Sequence, residues 1–186
     1  TEAFLRLGRP GQCVVDIGMH LGYFTTLFAR LVGPEGAVHA FEPTPSTREF
    51  ARHNVGQFSN VTVHPQAVWH EKGTLNFHDY GLAWMAFNSF TAAKQALNAA
   101  ARSFEVQTTT LDALREAVAR PIAVVKVDAE SAEAQILRGA TSLMARDKPL
   151  ITLEVGDREG APESRDLVDL MAARGSQAWE FRAGRF

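Results

Sequence analysis

Chemistry-capable residues follow directly on short apolar runs at two places in this chain: Asp16-Ile17-Gly18-Met19-His20-Leu21-Gly22 and Lys126-Val127-Asp128-Ala129-Glu130. Gly18 and Gly22 bracket a turn. A residue without Cβ lets the backbone bend tightly and approach a ligand, and free amides at the start of a following helix bind a carboxylate. Glu42 closes a further apolar run, where a carboxylate can accept hydrogen bonds from both hydroxyls of a ribose. Asp128 and Glu130 are two apart, so in extended backbone both share a face. One can orient a ligand while the other accepts a hydroxyl proton; equally, Glu130 can cap a helix start. Dinucleotide sites also pair a glycine turn with an acidic residue, but their G-x-G-x-x-G spacing is absent. The Asp-x-Gly-x-x-x-Gly pattern lacks the close second glycine that a pyrophosphate needs.

These residues need elements to hold them. Cys13 to Ile17 is brief, β-branched and apolar, as a strand buried on both faces should be. Phe24, Leu27, Phe28 and Leu31 recur at helical spacing until Gly33-Pro34 stops the run. A second strand is expected over Ala37 to Glu42. Ser46 and Glu49 suit a capping box opening a helix marked by Phe50, Asn54, Val55 and Phe58. Further strands are expected at Val61 to His64, Ile122 to Asp128, Leu150 to Val155 and Gln177 to Arg182. Ala132, Gln135, Ile136, Gly139 and Leu143 follow at helical spacing, and a helix is expected over Pro162 to Arg174 with Gly175 as its cap.

This alternation predicts an α/β fold with a mostly parallel central sheet, helices on both faces and right-handed crossovers. In such sheets a ligand binds beyond the carboxyl ends of the strands, where strand order reverses. The first strand and the Ile122 strand are expected to flank that point. Residues 67 to 79 and 104 to 109 break the rhythm as short strands able to pair antiparallel. Between them, the insert at 81–103 opens with Trp84, Met85, Phe87 and Phe90; it reads either as a lid or as a cover for the sheet edge.

The 186 residues suit one domain, and 46% hydrophobic with 22% charged residues is ordinary globular usage. A formal charge of −2 gives no bulk attraction for nucleic acid and favours a small or neutral substrate. No apolar stretch is long enough to span a bilayer, no signal peptide opens the sequence, and the single Cys13 forms no internal disulfide; a cytoplasmic setting is expected. The start at Thr1 is compatible with excision from a longer chain. His39, His53, His64, His70 and His78 show no metal-ligand spacing, so no metal site is expected. Lys126, inside an apolar run, needs an acid partner, and Glu154 on the neighbouring strand is the candidate.

Taken in order, Val15-Asp16-Ile17-Gly18-Met19-His20-Leu21-Gly22-Tyr23-Phe24-Thr25, Ala40-Phe41-Glu42-Pro43, Thr110-Leu111-Asp112, Val125-Lys126-Val127-Asp128-Ala129-Glu130-Ser131-Ala132-Glu133 and Leu137-Arg138-Gly139-Ala140 resemble the FkbM-type S-adenosylmethionine-dependent methyltransferases. The resemblance covers about residues 11 to 155. It implies a Rossmann-like class I methyltransferase fold in a single domain and, commonly, O-methylation of a hydroxyl on a sugar, lipid or natural product. S-adenosylmethionine is then the cofactor and S-adenosylhomocysteine the product. By the same resemblance Asp16, Gly18, Met19, His20, Gly22, Tyr23, Glu42 and Pro43 line the cofactor, Ala67 and Val68 lie near the adenine, and Asp128 and Glu130 face the methyl group. The sequence departs from the family at His20, where Asn is usual, at Met19, where a small residue is usual, and at Ser131, where Gly often stands. The chain also stops too early for a clear seventh strand, so the sheet edge is expected to be incomplete or completed elsewhere.

Overall fold

A computed structural model describes residues 2–79, 102–129, 132–153 and 162–177. Its elements are, in chain order, α1 (Glu2–Leu7), β1 (Cys13–Ile17), α2 (Tyr23–Val32), β2 (Ala37–Phe41), α3 (Pro45–Val55), β3 (Val61–His64), β4 (Ala67–Val68), β5 (Gly73–Asp79), β6 (Arg102–Thr109), α4 (Leu111–Ala117), β7 (Ile122–Val127), α5 (Glu133–Arg138), α6 (Thr141–Asp147), β8 (Leu150–Leu153) and α7 (Pro162–Ala173). Five strands form one sheet in the order β3-β2-β1-β7-β8, every pairing parallel. The chain builds outward from β1 to β3, then crosses to the other side of β1. Strand order therefore reverses between β1 and β7, as expected from the sequence.

Alternation along the strands assigns the two faces. Val14, Val38 and Val124 pack beneath Phe28, Ala29 and Val32 of α2, with Phe4 and Leu7 of α1 alongside. Cys13, Val15, Ile17, Phe41, Val125 and Val127 face the opposite way, onto Leu111, Leu114, Ile136 and Leu143 of α4, α5 and α6. Because each strand of β1 and β7 is covered twice, its sequence is apolar throughout, and a polar residue in it is conspicuous. Burial lifts the Cys13 thiol to about 11, so it behaves as a small core residue.

A second sheet has the order β4-β6-β5; β5 pairs antiparallel with β6, while β4 pairs parallel with it. The hydrogen bond from Ser46 Oγ to Asp79 Oδ2, at 3.4 Å, ties the end of β5 to the start of α3. The insert expected at 81–103 lies outside the described residues except for Arg102 and Ser103, which open β6. The expected last strand lies outside them from residue 178 onward.

Local expectations are corrected at three points. Helix α3 starts two residues earlier than the Ser46 and Glu49 box implies: Thr44 is the N-cap and Pro45 the first helical residue, a position where its fixed φ and missing N–H suit it. Its inward face is Thr47, Ala51 and Val55, and Phe50 is exposed. The helix expected from Ala132 to Leu143 is two helices. A Cβ on Gly139 would sit 2.4 Å from the Trp69 carbonyl oxygen, so the chain passes β4 closely there. Asp112 then starts α6 from outside by accepting the N–H groups of Leu143 and Ser142 at 2.7 and 3.1 Å.

Candidate functional site

Asp16 and Lys126 are direct register partners on β1 and β7, on the face that α2 covers. Both are buried. Lys126 Nζ lies 3.1 Å from Asp16 Oδ1 and 3.4 Å from Asp128 Oδ2, and donates to the Gly18 carbonyl at 3.3 Å. The Thr25 hydroxyl, in the first turn of α2, donates to Asp16 Oδ2 at 2.6 Å. Phe24 places its ring face 5.2 Å from the ammonium. Burial alone would pull the lysine down, but Asp16 and Asp128 outweigh it and hold the ammonium above its ordinary value. The lysine's partners are thus the acids on β1 and just past β7, because the strand register sets Asp16 beside it. Glu154, the expected partner, lies outside the described residues.

Past β1 the chain turns through Gly18, His20 and Gly22, all at positive φ. A Cβ on Gly18 would stand 1.8 Å from the Asp128 carbonyl oxygen, so glycine alone lets the β1 and β7 loops touch. His20, at φ 50, occupies a conformation that Asn, Asp and His adopt more readily than other residues, which accounts for histidine where Asn is usual. Its Nε2 is buried without a hydrogen-bond partner, and burial holds the imidazole below its ordinary value.

Glu42 sits just past the end of β2, buried. Its Oε2 accepts the His20 N–H at 3.1 Å and its Oε1 accepts the Thr44 N–H at 3.0 Å. Burial pushes its carboxyl up to about 7, against those two donors and the nearby Arg48. Arg48 donates to the Glu42 and Pro43 carbonyls, both at 2.8 Å, and Asn54 donates to the Leu21 carbonyl at 2.8 Å, so α3 clamps both loops.

The structure brings Asp16, Gly18, His20, Gly22, Glu42, Pro43 and Asp128 to the carboxyl ends of β1, β2 and β7. Asp16 itself and the remaining expected residues have the following surroundings. Asp16 is enclosed by Thr25 and Lys126 rather than open to a ligand. Met19 packs among Ala40, Ala51 and Val55 under α3. Ala67 and Val68 are buried in β4, where Ala67 contacts Phe77 and Val106 and Val68 joins the main core. Tyr23 opens α2 with a side chain that is mostly exposed. Glu130 lies outside the described residues. Sequence reasoning missed Thr25, Arg48, Asn54 and Glu133, whose Oε1 accepts the Ala129 N–H at 3.1 Å. Thr25 carried a signal: it is the polar member of an inward face otherwise made of Phe28, Ala29 and Val32.

This end of the sheet fits a nucleoside cofactor carrying an amino acid. Glu42 accepts the His20 and Thr44 N–H groups and a hydrogen bond from the Thr44 side chain, and a carboxylate with about four acceptor sites keeps capacity for a ribose hydroxyl. The Asp128 side chain is 39% exposed beside the Gly18 turn, able to meet an ammonium group, and His20 Nε2 is an orphan donor or acceptor. Among the described residues no helix is long and apolar enough to cross a membrane.

Comparison with known proteins agrees with this geometry. The methyltransferase FkbM domain matches residues 16–178. The chain is 27% identical to the 31-O-demethyl-FK506 methyltransferase FkbM of Streptomyces tacrolimicus over 189 aligned positions, covering 86% of this chain and 72% of that protein. A shorter match, 45% identical over 47 residues, reaches a protein-L-isoaspartate O-methyltransferase of Aeropyrum pernix and covers 25% of this chain and 18% of that protein. The crystal structure of an FkbM methyltransferase from Methylobacillus flagellatus superposes with a TM-score of 0.59 at 15% identity, over 93% of this chain. This chain covers 43% of that one, so it spans under half its length. With the parallel sheet reversing at β1 and β7 and the match running through both loops there, the chain belongs to the FkbM family of S-adenosylmethionine-dependent methyltransferases.

Proposed function

We propose that this methyltransferase places the methyl group on a hydroxyl of a small molecule, with Asp128 holding the methionine end of the cofactor and Glu42 its ribose. The observation that carries the oxygen acceptor is the relative whose name is 31-O-demethyl-FK506 methyltransferase, aligned over most of this chain. The formal charge of −2 also favours a small acceptor over a nucleic acid. The bound cofactor supplies an electrophilic methyl group on a sulfonium. The protein's part is alignment of donor and acceptor, which can contribute roughly 7 to 11 kcal/mol to an in-line displacement. The hydroxyl sheds its proton as the new bond forms. Glu130, two residues beyond Asp128, is the residue proposed to take it, a contribution of about 10²- to 10⁴-fold. The whole chain, 1–186, is proposed to work as one domain.

Incubating the protein with methyl-labelled cofactor and matched acceptors bearing either a hydroxyl or an amine tests the reading. Label is expected on the hydroxyl series, and Glu130→Gln is expected to lower turnover about 10²-fold with cofactor affinity kept. Label confined to the amines would overturn it.

A further inference from the structure

The ion cluster between β1 and β7 contains more than a buried lysine needs. An ammonium has three N–H donors, and Lys126 Nζ has three acceptors within reach: Asp16 Oδ1, Asp128 Oδ2 and the Gly18 carbonyl oxygen, at 3.1, 3.4 and 3.3 Å. Enclosed and faced by two carboxylates and a carbonyl, the ammonium is directed at the protein's own acceptors and not at a substrate. Its acceptors come from separate pieces of chain: the end of β1, the turn behind it, and the loop leaving β7. Those pieces are otherwise joined near this point by the Asp128 N–H to Ile17 carbonyl bond at 3.2 Å, and the missing Cβ of Gly18 keeps them in contact. Two carboxylates against one ammonium leave one formal negative charge, carried toward solvent by Asp128, whose side chain is 39% exposed while that of Asp16 is fully buried.

We infer that Lys126 is a positioning residue for methyl transfer: it crosslinks the two cofactor loops and fixes the Asp128 carboxylate where that carboxylate meets the ammonium group of the cofactor's methionine end. This rests on the cofactor reading of Asp128. Asp16, anchored by Thr25, serves as the fixed point from which the lysine reaches. The arrangement explains why an acid that looks ligand-facing in the sequence is enclosed in the structure: Asp16 acts through Lys126 on Asp128.

A double-mutant cycle on cofactor affinity tests the inference, read by calorimetry with S-adenosylhomocysteine so that no acceptor is required. Lys126→Met and Asp128→Asn are each expected to weaken binding about tenfold or more, and the double variant is expected to bind no worse than Asp128→Asn alone, because the lysine's effect passes through that carboxylate. Losses that multiply would overturn the inference, since a lysine that merely supports the fold acts independently of Asp128. Lys126→Met leaves Asp16 buried without its counter-charge, so the cycle is repeated on the charge-balanced background Asp16→Asn with Lys126→Met. Should neither background fold, the lysine serves stability and the inference falls. Failure of the unsubstituted protein to bind would instead sink the cofactor reading, and normal binding by Asp128→Asn would sink the assignment of Asp128 and the inference with it, whereas weakened binding by Asp128→Asn with unchanged binding by Lys126→Met would sink only the positioning role.

Discussion

Glu42 meets a backbone N–H on each carboxylate oxygen, yet burial still pushes it up to about 7, so its charge changes within the working range of a cell. The sign of the effect differs between folding and binding. Unfolded, the carboxyl ionises near its ordinary value of 4.5; folded, near 7. Across that interval the folded state binds more protons, so the stability it contributes is full below the lower value and is lost as pH rises to about 7. Ribose hydroxyls donate, and an ionised carboxylate accepts better, so cofactor affinity is expected to rise with pH through about 7. Calorimetry from pH 6 to 8 checks this: Glu42→Gln should flatten the rise and His20→Asn should leave most of it, because burial pushes the His20 imidazole below its ordinary value while it lifts Glu42 to about 7. A profile abolished by His20→Asn would reassign the titration. Thr25 offers a second test. Thr25→Val keeps the shape and removes the 2.6 Å bond to buried Asp16, an expected loss of about 1 to 3 kcal/mol in chemical denaturation.

At the scale of elements, the strands were legible because burial on both faces leaves no room for polar residues. Cys13–Ile17 and Ile122–Val127 stand out as apolar runs broken only by Asp16 and Lys126, and both exceptions belong to the candidate site. What was not legible depends on neighbours distant in sequence. Lys126 chooses Asp16 through strand register. The break between α5 and α6 depends on how close Gly139 comes to Trp69 and on the carboxylate of Asp112, neither of which helical periodicity contains. The start of α3 was misplaced because the capping signal at Ser46 and Glu49 competed with Pro45, and the proline prevailed. The loops are as constrained as the strands. Gly18→Ala would add a Cβ 1.8 Å from the Asp128 carbonyl oxygen at a φ of 74, so the β1 and β7 loops must part. Cofactor binding is expected to fall below detection while far-ultraviolet circular dichroism stays close to that of the parent; retained affinity would show that the two loops need not touch.

Over the whole molecule, five parallel strands reverse order between β1 and β7 and the family match runs across residues 16–178; the proposed cofactor site lies at the carboxyl end of that sheet, between Glu42 and the Lys126 cluster. A ligand that binds only the folded state raises its stability by about 2.7 kcal/mol at a hundredfold excess over Kd. For a chain of this size that corresponds to a rise of about 5 to 10 °C in the melting temperature. The most direct test of the central claim is calorimetric titration of S-adenosylmethionine into the protein and into Glu42→Ala, with circular dichroism to show that both are folded. The account predicts saturable one-to-one binding by the parent and a loss of about 1.5 to 3 kcal/mol in the variant, the worth of hydrogen bonds to a charged acceptor. Equal affinity in two folded proteins, or no binding by the parent, would contradict it.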